Sequence, residues 1–124
     1  MKQLNKVEIT VETQYLKNQI PDKDKYVFAY KISVHNNGQN SVQLINRYWL
    51  ITDGNGKKTE VQGPGVIGLQ PHILPGDVFQ YSSGAVLDTP VGTMQGYYEM
   101  QQEDSERFEA VINVFSLAVP NVVN

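Results

Sequence analysis

Apolar and polar residues alternate along most of this chain with a period of two, the spacing of a strand that buries one face. Val7, Ile9 and Val11 alternate with Glu8, Thr10 and Glu12. A polar connection with Pro21, Asp22, Lys23 and Asp24 follows. From Lys25 to His35 the pattern predicts a long strand, with Tyr26, Phe28, Tyr30, Ile32 and Val34 on one face. Asn36-Asn37-Gly38 predicts a hairpin turn after it, because Asn and Gly tolerate the positive φ such turns need. Val42 to Thr52 is the most apolar stretch and populates both faces: Ile45, Arg47, Trp49 and Ile51 on one, Val42, Leu44, Asn46, Tyr48 and Leu50 on the other. Two-sided hydrophobicity points to a central strand covered on both sides, or to an apolar face that a partner covers.

Asp53-Gly54-Asn55-Gly56 is a strong turn signal, and Lys58 to Val61 reads as a short returning strand. The segment from Gln62 to Gly84 breaks the rhythm with a Gly/Pro-rich loop. Within it, Pro75-Gly76 fits a type II turn, since proline sets the second φ and glycine supplies the positive third. Asp77 to Ser83 then forms a strand, and Asp88 to Gly92 a further turn. Thr93 to Gln102 places Met94, Gly96, Tyr98 and Met100 on one side and Gln95, Tyr97, Glu99 and Gln101 on the other. After an acidic tip at Glu103 to Glu106, Arg107 to Val119 reads as the last strand. Its Phe108, Ala110, Ile112 and Val114 alternate against Glu109, Val111, Asn113, Phe115 and Leu117, and Pro120 ends it. About seven short strands without a helical stretch predict an all-β, antiparallel β-sandwich of immunoglobulin-like type, one domain spanning residues 1–124.

Composition sharpens this picture and narrows the function. Of 124 residues 40% are hydrophobic and only 19% charged, below the roughly 25% of an average domain. Gln, Asn, Ser, Thr and Tyr take the place of charge, as half-buried sheet faces require. The net charge of −3 and the scattered Lys and Arg offer no basic stripe, which argues against nucleic acid. The absence of cysteine removes disulfides, thiolate metal sites and thiol nucleophiles together. No run is long and apolar enough for a signal peptide or a membrane span, so a cytoplasmic protein without membrane insertion is expected.

Several motifs in fixed order resemble a known family. They are Arg47-Tyr48-Trp49, Thr52-Asp53-Gly54-Asn55-Gly56 and the run from Gly63 through Gly65, Val66, Ile67, Gly68 and Leu69 to Gln70-Pro71. Leu74-Pro75-Gly76, Tyr81-Ser82-Ser83-Gly84, Thr89-Pro90 and Phe115-Ser116-Leu117 continue the match. Together they resemble the bacterial ApaG (CorD) family across nearly the whole chain. The resemblance implies a fibronectin type III-like sandwich that acts as a protein-interaction domain. It also implies an association with cobalt tolerance and magnesium efflux, without an established biochemical activity. Two positions depart from many members: Pro64 stands where they carry a charged or polar residue, and Leu69 where they carry an acidic one.

The candidate sites are few. Gly63 to Gly68 satisfies G-x-G-x-x-G by letter, but Gln70-Pro71 and Pro75-Gly76 forbid the helix that a pyrophosphate site needs. A backbone anion nest without a helix keeps a second reading open. In that reading the loop 63–71 binds a phosphate, a pyrophosphate or a divalent cation. The loop residues Gly63, Gly65, Val66, Ile67, Gly68, Gln70 and Pro71 are therefore taken as a ligand- or partner-binding loop. His35 and His72 lie in different elements, so no metal site is assigned to them. Glu99, Glu103, Asp104, Glu106 and Glu109 surround one hairpin and read as a solvated turn. Trp49 is expected in the core. Tyr48, Tyr97, Val111 and Phe115 are expected to crowd the outer face of one sheet, as a surface for a protein partner or a second copy of the chain. No nucleophile with a base, no paired His and carboxylate and no cofactor motif in context occurs, so a non-enzymatic domain without cofactor is expected.

Overall fold

The computed structural model describes residues 6–17, 24–103 and 105–120. Pro21 to Lys23 of the first connection and Asp104 of the acidic tip lie outside them. Eight strands run in chain order: β1 (Val7–Tyr15), β2 (Tyr26–Asn36), β3 (Val42–Asp53), β4 (Lys58–Pro64), β5 (His72–Ile73), β6 (Val78–Leu87), β7 (Val91–Gln102) and β8 (Arg107–Ala118). They form two antiparallel sheets, β1-β2-β6 and β4-β3-β7-β8, with the short β5 also pairing β3. No helix occurs among the described residues. The molecule is an all-β sandwich, as the alternation predicts.

The core lies between the sheets and is built from alternate residues of each strand. Phe28, Tyr30, Ile32 and Val34 of β2 face Trp49 of β3, and Met94, Tyr98 and Met100 of β7, all buried. Trp49 sits edge-on to Tyr30, Tyr98 and Phe115, with ring centroids 5.5, 6.3 and 5.9 Å away. Such edge-to-face contacts add to the gain from burial, because ring edges are positive and ring faces negative. Tyr81 and Tyr98 join hydroxyls across this core, and burial pushes both phenols well above the usual tyrosine range.

Two β-bulges set the register of the larger sheet and correct the simple alternation. Against β7, Leu44 pairs with Met100 and Asn46 with Glu99, so Ile45 is an extra residue in β3. A single extra residue reverses which face the following side chains occupy. Val42 and Leu44 therefore point inward before the bulge, and Trp49 after it. The reversal puts Val42 and Leu44 on the same inner face as Trp49, while Tyr48 and Leu50 stay on the outer face, so the two-sided hydrophobicity of β3 is only partly a matter of register. In β8 the register slips between the pairs Met94–Phe115 and Gly96–Ile112. Ala110 and Ile112 point inward before the slip and Leu117 after it, while Val114 points outward and is 59% exposed.

The turns divide in the same way. Leu74 to Asp77 form the expected type II turn: the Asp77 amide donates to the Leu74 carbonyl at 3.0 Å and Gly76 has φ 85°. Asp53 to Gly56 close the β3–β4 hairpin, with the Asp53 carboxylate accepting the Asn55 and Lys57 amides at 2.8 and 2.9 Å. Asn36-Asn37-Gly38 is not a hairpin, however. It carries the chain from one sheet to the other, between β2 and β3. The buried Asn36 side chain makes that arch: it accepts the Gly38 amide at 3.0 Å and donates to the Asn40 and Ile73 carbonyls at 2.8 and 2.9 Å.

Candidate functional site

The Gly/Pro loop bridges the gap between β4 and β5, both of which pair with β3. The gap falls at the Ile45 bulge, whose carbonyl is turned out of the ladder toward the loop. Two donors satisfy that carbonyl: the Gly65 amide at 2.8 Å and the Gln70 side-chain amide at 2.9 Å. The Leu44 amide donates to the Pro71 carbonyl at 3.0 Å, and the Gln43 side chain to the Gln70 carbonyl at 3.1 Å. Arg47 clamps the other end, its guanidinium donating to the carbonyls of Pro64 and Gly65 at 3.1 and 3.0 Å. Six hydrogen bonds between β3 and the loop thus hold this irregular segment against the sheet.

The loop itself is a miniature hairpin. Val66 and Leu69 exchange both amide-to-carbonyl bonds at 2.8 Å, leaving Ile67 and Gly68 as the two-residue turn. Both turn residues have positive φ, 43° and 77°, the requirement of a type I′ turn. Gly68 adopts this readily, but Ile67 is β-branched and pays strain for it. Its side chain is 60% exposed at the tip, with Leu69 also exposed beside it. Gly65 is obligatory, since a Cβ there would stand 2.1 Å from the Leu69 carbonyl oxygen at φ 62°. Val66 points the other way and is fully buried, so it belongs to the core and not to the loop's outer surface. The amides of Gly65, Val66 and Leu69 are all engaged with backbone carbonyls.

The outer face of the larger sheet carries a second apolar feature. Tyr48 of β3 and Tyr97 of β7 are direct cross-strand partners and stack with centroids 5.1 Å apart. Leu50, Val111 and Val114 extend this strip into a shallow groove across β3, β7 and β8. Val111 is 63% exposed. Polar groups rim the strip. The Tyr48 hydroxyl donates to the Glu60 carboxylate at 2.6 Å, and this bond, more than any other influence, holds the phenol above its usual range. At the far end Glu99 accepts the Asn46 amide at 2.6 Å and pairs with Arg107 at 3.3 Å.

The predicted partner face is therefore assembled in part. Tyr48, Tyr97 and Val111 come together, but Phe115 does not join them. The β8 slip turns Phe115 inward, where it packs on Trp49 and Tyr30. Val114 takes its place, a residue that strict alternation assigns to the core. The only hint of this in the sequence is the run Val111 to Phe115, in which no alternation can keep every apolar side chain inside.

The remaining candidates stay apart. His35, on β2, has its ring nitrogen 3.4 Å from the Thr10 hydroxyl, while His72 lies on β5 beside the loop. No group of three His, Asp or Glu side chains close enough to hold a metal occurs among the described residues. Ser82 and Ser83 lie opposite Lys31 and Tyr30, and His35 opposite Val78, so no serine–histidine pair forms across this ladder.

Comparison with known proteins places this geometry. Residues 16–102 match the family model described as the ApaG domain. "Protein ApaG" of Erwinia tasmaniensis is 56% identical over 115 residues, covering 92% of both chains. The protein of the same description from Sodalis glossinidius is 53% identical over 120 residues, covering 96% of both. The crystal structure of a Bordetella pertussis protein described as ApaA superposes with a TM-score of 0.91 at 41% identity, over 96% of this chain and 98% of that one. The chain belongs to the ApaG family.

Proposed function

We propose that this protein is a non-enzymatic interaction module that docks a protein partner on the outer face of its larger sheet, beside the rigid Ile67 loop. The observation that carries this reading is the strip of Tyr48, Tyr97, Val111 and Val114. Half-buried Tyr48 and Tyr97 stand there beside exposed Val111 and Val114, with Gln95 and Asn113 as the polar groups of the groove and charged groups at its ends, the mixed anatomy of a docking patch. The loop supports the same reading: it presents exposed Ile67 and Leu69 and no cationic side chain of its own. Its engaged amides leave little of an anion nest, so we favour partner contact over phosphate or cation binding at residues 63–71.

The association with cobalt tolerance and magnesium efflux is then an effect exerted through the partner in the cytoplasm, not through a cation held by this chain. The test is affinity capture from native cytosol with the intact protein, with Val111→Asp and with Ile67→Asp, each checked for an unchanged fold. Thr10→Asp, on the opposite sheet, serves as the control. Loss of the same prey with the first two variants and retention with the third supports the reading. Retention with all of them overturns it.

A further inference from the structure

The smaller sheet ends in β6, and β6 lacks the devices by which edge strands ordinarily resist pairing. Those devices are charges, proline and bulges. Among the other edge strands, β1 carries Glu8 and Glu12, β4 carries Lys58, Glu60 and Pro64, and β8 carries Arg107, Glu109 and its bulge. β6 (VFQYSSGAVL) has no charged residue and no proline, and it pairs with β2 without a register shift from Val78 to Leu87. It is a straight, uncharged edge of ten residues.

Two hydrogen bonds fix which backbone groups of β6 face outward. The Asn36 amide donates to the Asp77 carbonyl at 3.0 Å, so in this ladder the odd-numbered residues of β6 bond to β2. The Leu16 amide donates to the Val27 carbonyl at 2.9 Å, which sends the odd-numbered residues of β2 to β1 and leaves its even-numbered ones for β6. Both lead to the same assignment. The amides and carbonyls of Val78, Gln80, Ser82, Gly84 and Val86 point away from β2, and no described residue bonds to them. The side chains of Val78, Gln80, Ser82 and Val86 lie on the outer, exposed face, and Gly84 is exposed between them.

We infer that β6 pairs antiparallel with β6 of a second copy, about a two-fold axis through Ser82. An isologous contact requires a self-complementary patch, and this edge is one. With Ser82 opposite Ser82, Gln80 meets Gly84 and Val78 meets Val86, each pair formed twice. The two exposed valines, at 48% and 56%, thereby cover one another. Any other register leaves one of them without its mate. All five outward residues become hydrogen-bonded pairs, giving about ten new backbone bonds and a continuous six-stranded sheet. A strand from another protein would have to supply matching apolar residues at both ends, which a second copy already carries. Each copy bears a net charge of −3, so the association strengthens with salt as their mutual repulsion is screened.

The chain has no cysteine, so one introduced thiol reports the contact without interference. Hydrogen-bonded antiparallel partners have Cα atoms about 5.5 Å apart, within the span of a disulfide. Ser82→Cys is therefore expected to form a covalent dimer under mild oxidation. Glu12→Cys, five strand spacings or about 24 Å from its mate across the joined sheet, is expected not to. By sedimentation the unmodified protein is expected to dimerise reversibly below about 1 mM, and Ser82→Lys, which sets two ammonium groups face to face, to weaken this at least about tenfold. Circular dichroism establishes that each variant is folded. A protein that stays monomeric at about 1 mM, equal cross-linking of the two cysteine variants, or undiminished association of Ser82→Lys overturns the inference.

Discussion

Ile67 offers a direct test of whether the loop stores strain. An L-residue in the left-handed region costs roughly 1–2 kcal/mol, and a β-branched one has no local hydrogen bond to offset it. Asn is favoured at this position of a type I′ turn. Ile67→Asn therefore removes most of that cost while giving up only the part of the side chain that is covered. At 60% exposure, the covered part contributes about 1 kcal/mol of the roughly 1.5–3 available to a fully buried isoleucine. Leu69→Asn gives up a similar covered area, at 50% exposure, from a residue whose φ is not positive. The two variants differ by the strain alone. Unfolding entropy of about 2.1 cal/mol/K per residue makes 1 kcal/mol worth about 4 °C in a chain of this length. Ile67→Asn should melt about 4–8 °C above Leu69→Asn in differential scanning calorimetry, and at or slightly above the unmodified protein. If both variants lose the same few degrees, Ile67 is not strained and its retention needs another explanation.

Three further outcomes follow from the core and its registers. Phe115→Ala should destabilise by about 3 kcal/mol in urea unfolding, since it removes the ring packed on Trp49 and Tyr30. Val111→Asp, on the exposed outer face of β8, should change stability by about 0.5 kcal/mol or less, and equal effects would mean that the β8 slip is misplaced. Gly96→Ala should abolish the folded state or cost more than about 3 kcal/mol, because its Cβ would stand 1.9 Å from the Tyr48 carbonyl oxygen on the neighbouring strand, where no side chain can yield. A soluble, native-like Gly96→Ala protein would contradict that register. Alkaline unfolding tests the Tyr81–Tyr98 pair. Burial raises both folded-state pKa values above the unfolded value of about 10, so their contribution is complete below that pH and lost as pH rises beyond it. Stability should fall by up to about 2.7 kcal/mol per pH unit above pH 10, and the Tyr81→Phe/Tyr98→Phe double variant should show a shallower slope. Identical slopes would show that the pair does not titrate with unfolding.

Local rules sufficed wherever a strand kept its period and a turn closed on its own residues. The alternation of β2 and β7 grouped Phe28, Ile32 and Val34, and Met94, Tyr98 and Met100, on single faces that the sandwich buries, and the Pro75-Gly76 and Asp53 to Gly56 turns followed from φ preferences alone. The Gly/Pro loop was conspicuous, but not its conformation. The bond between Val66 and Leu69 that makes it a hairpin, and the Arg47 clamp, join groups whose approach depends on the whole sheet. The bulges at Ile45 and between Ile112 and Phe115 were likewise invisible, because an inserted residue changes no residue type and shows only against the partner strand. That is why Phe115 and Val114 exchange places on the candidate face. Periodicity reports which side chains share a face while the period lasts, and only strand pairing decides where it breaks.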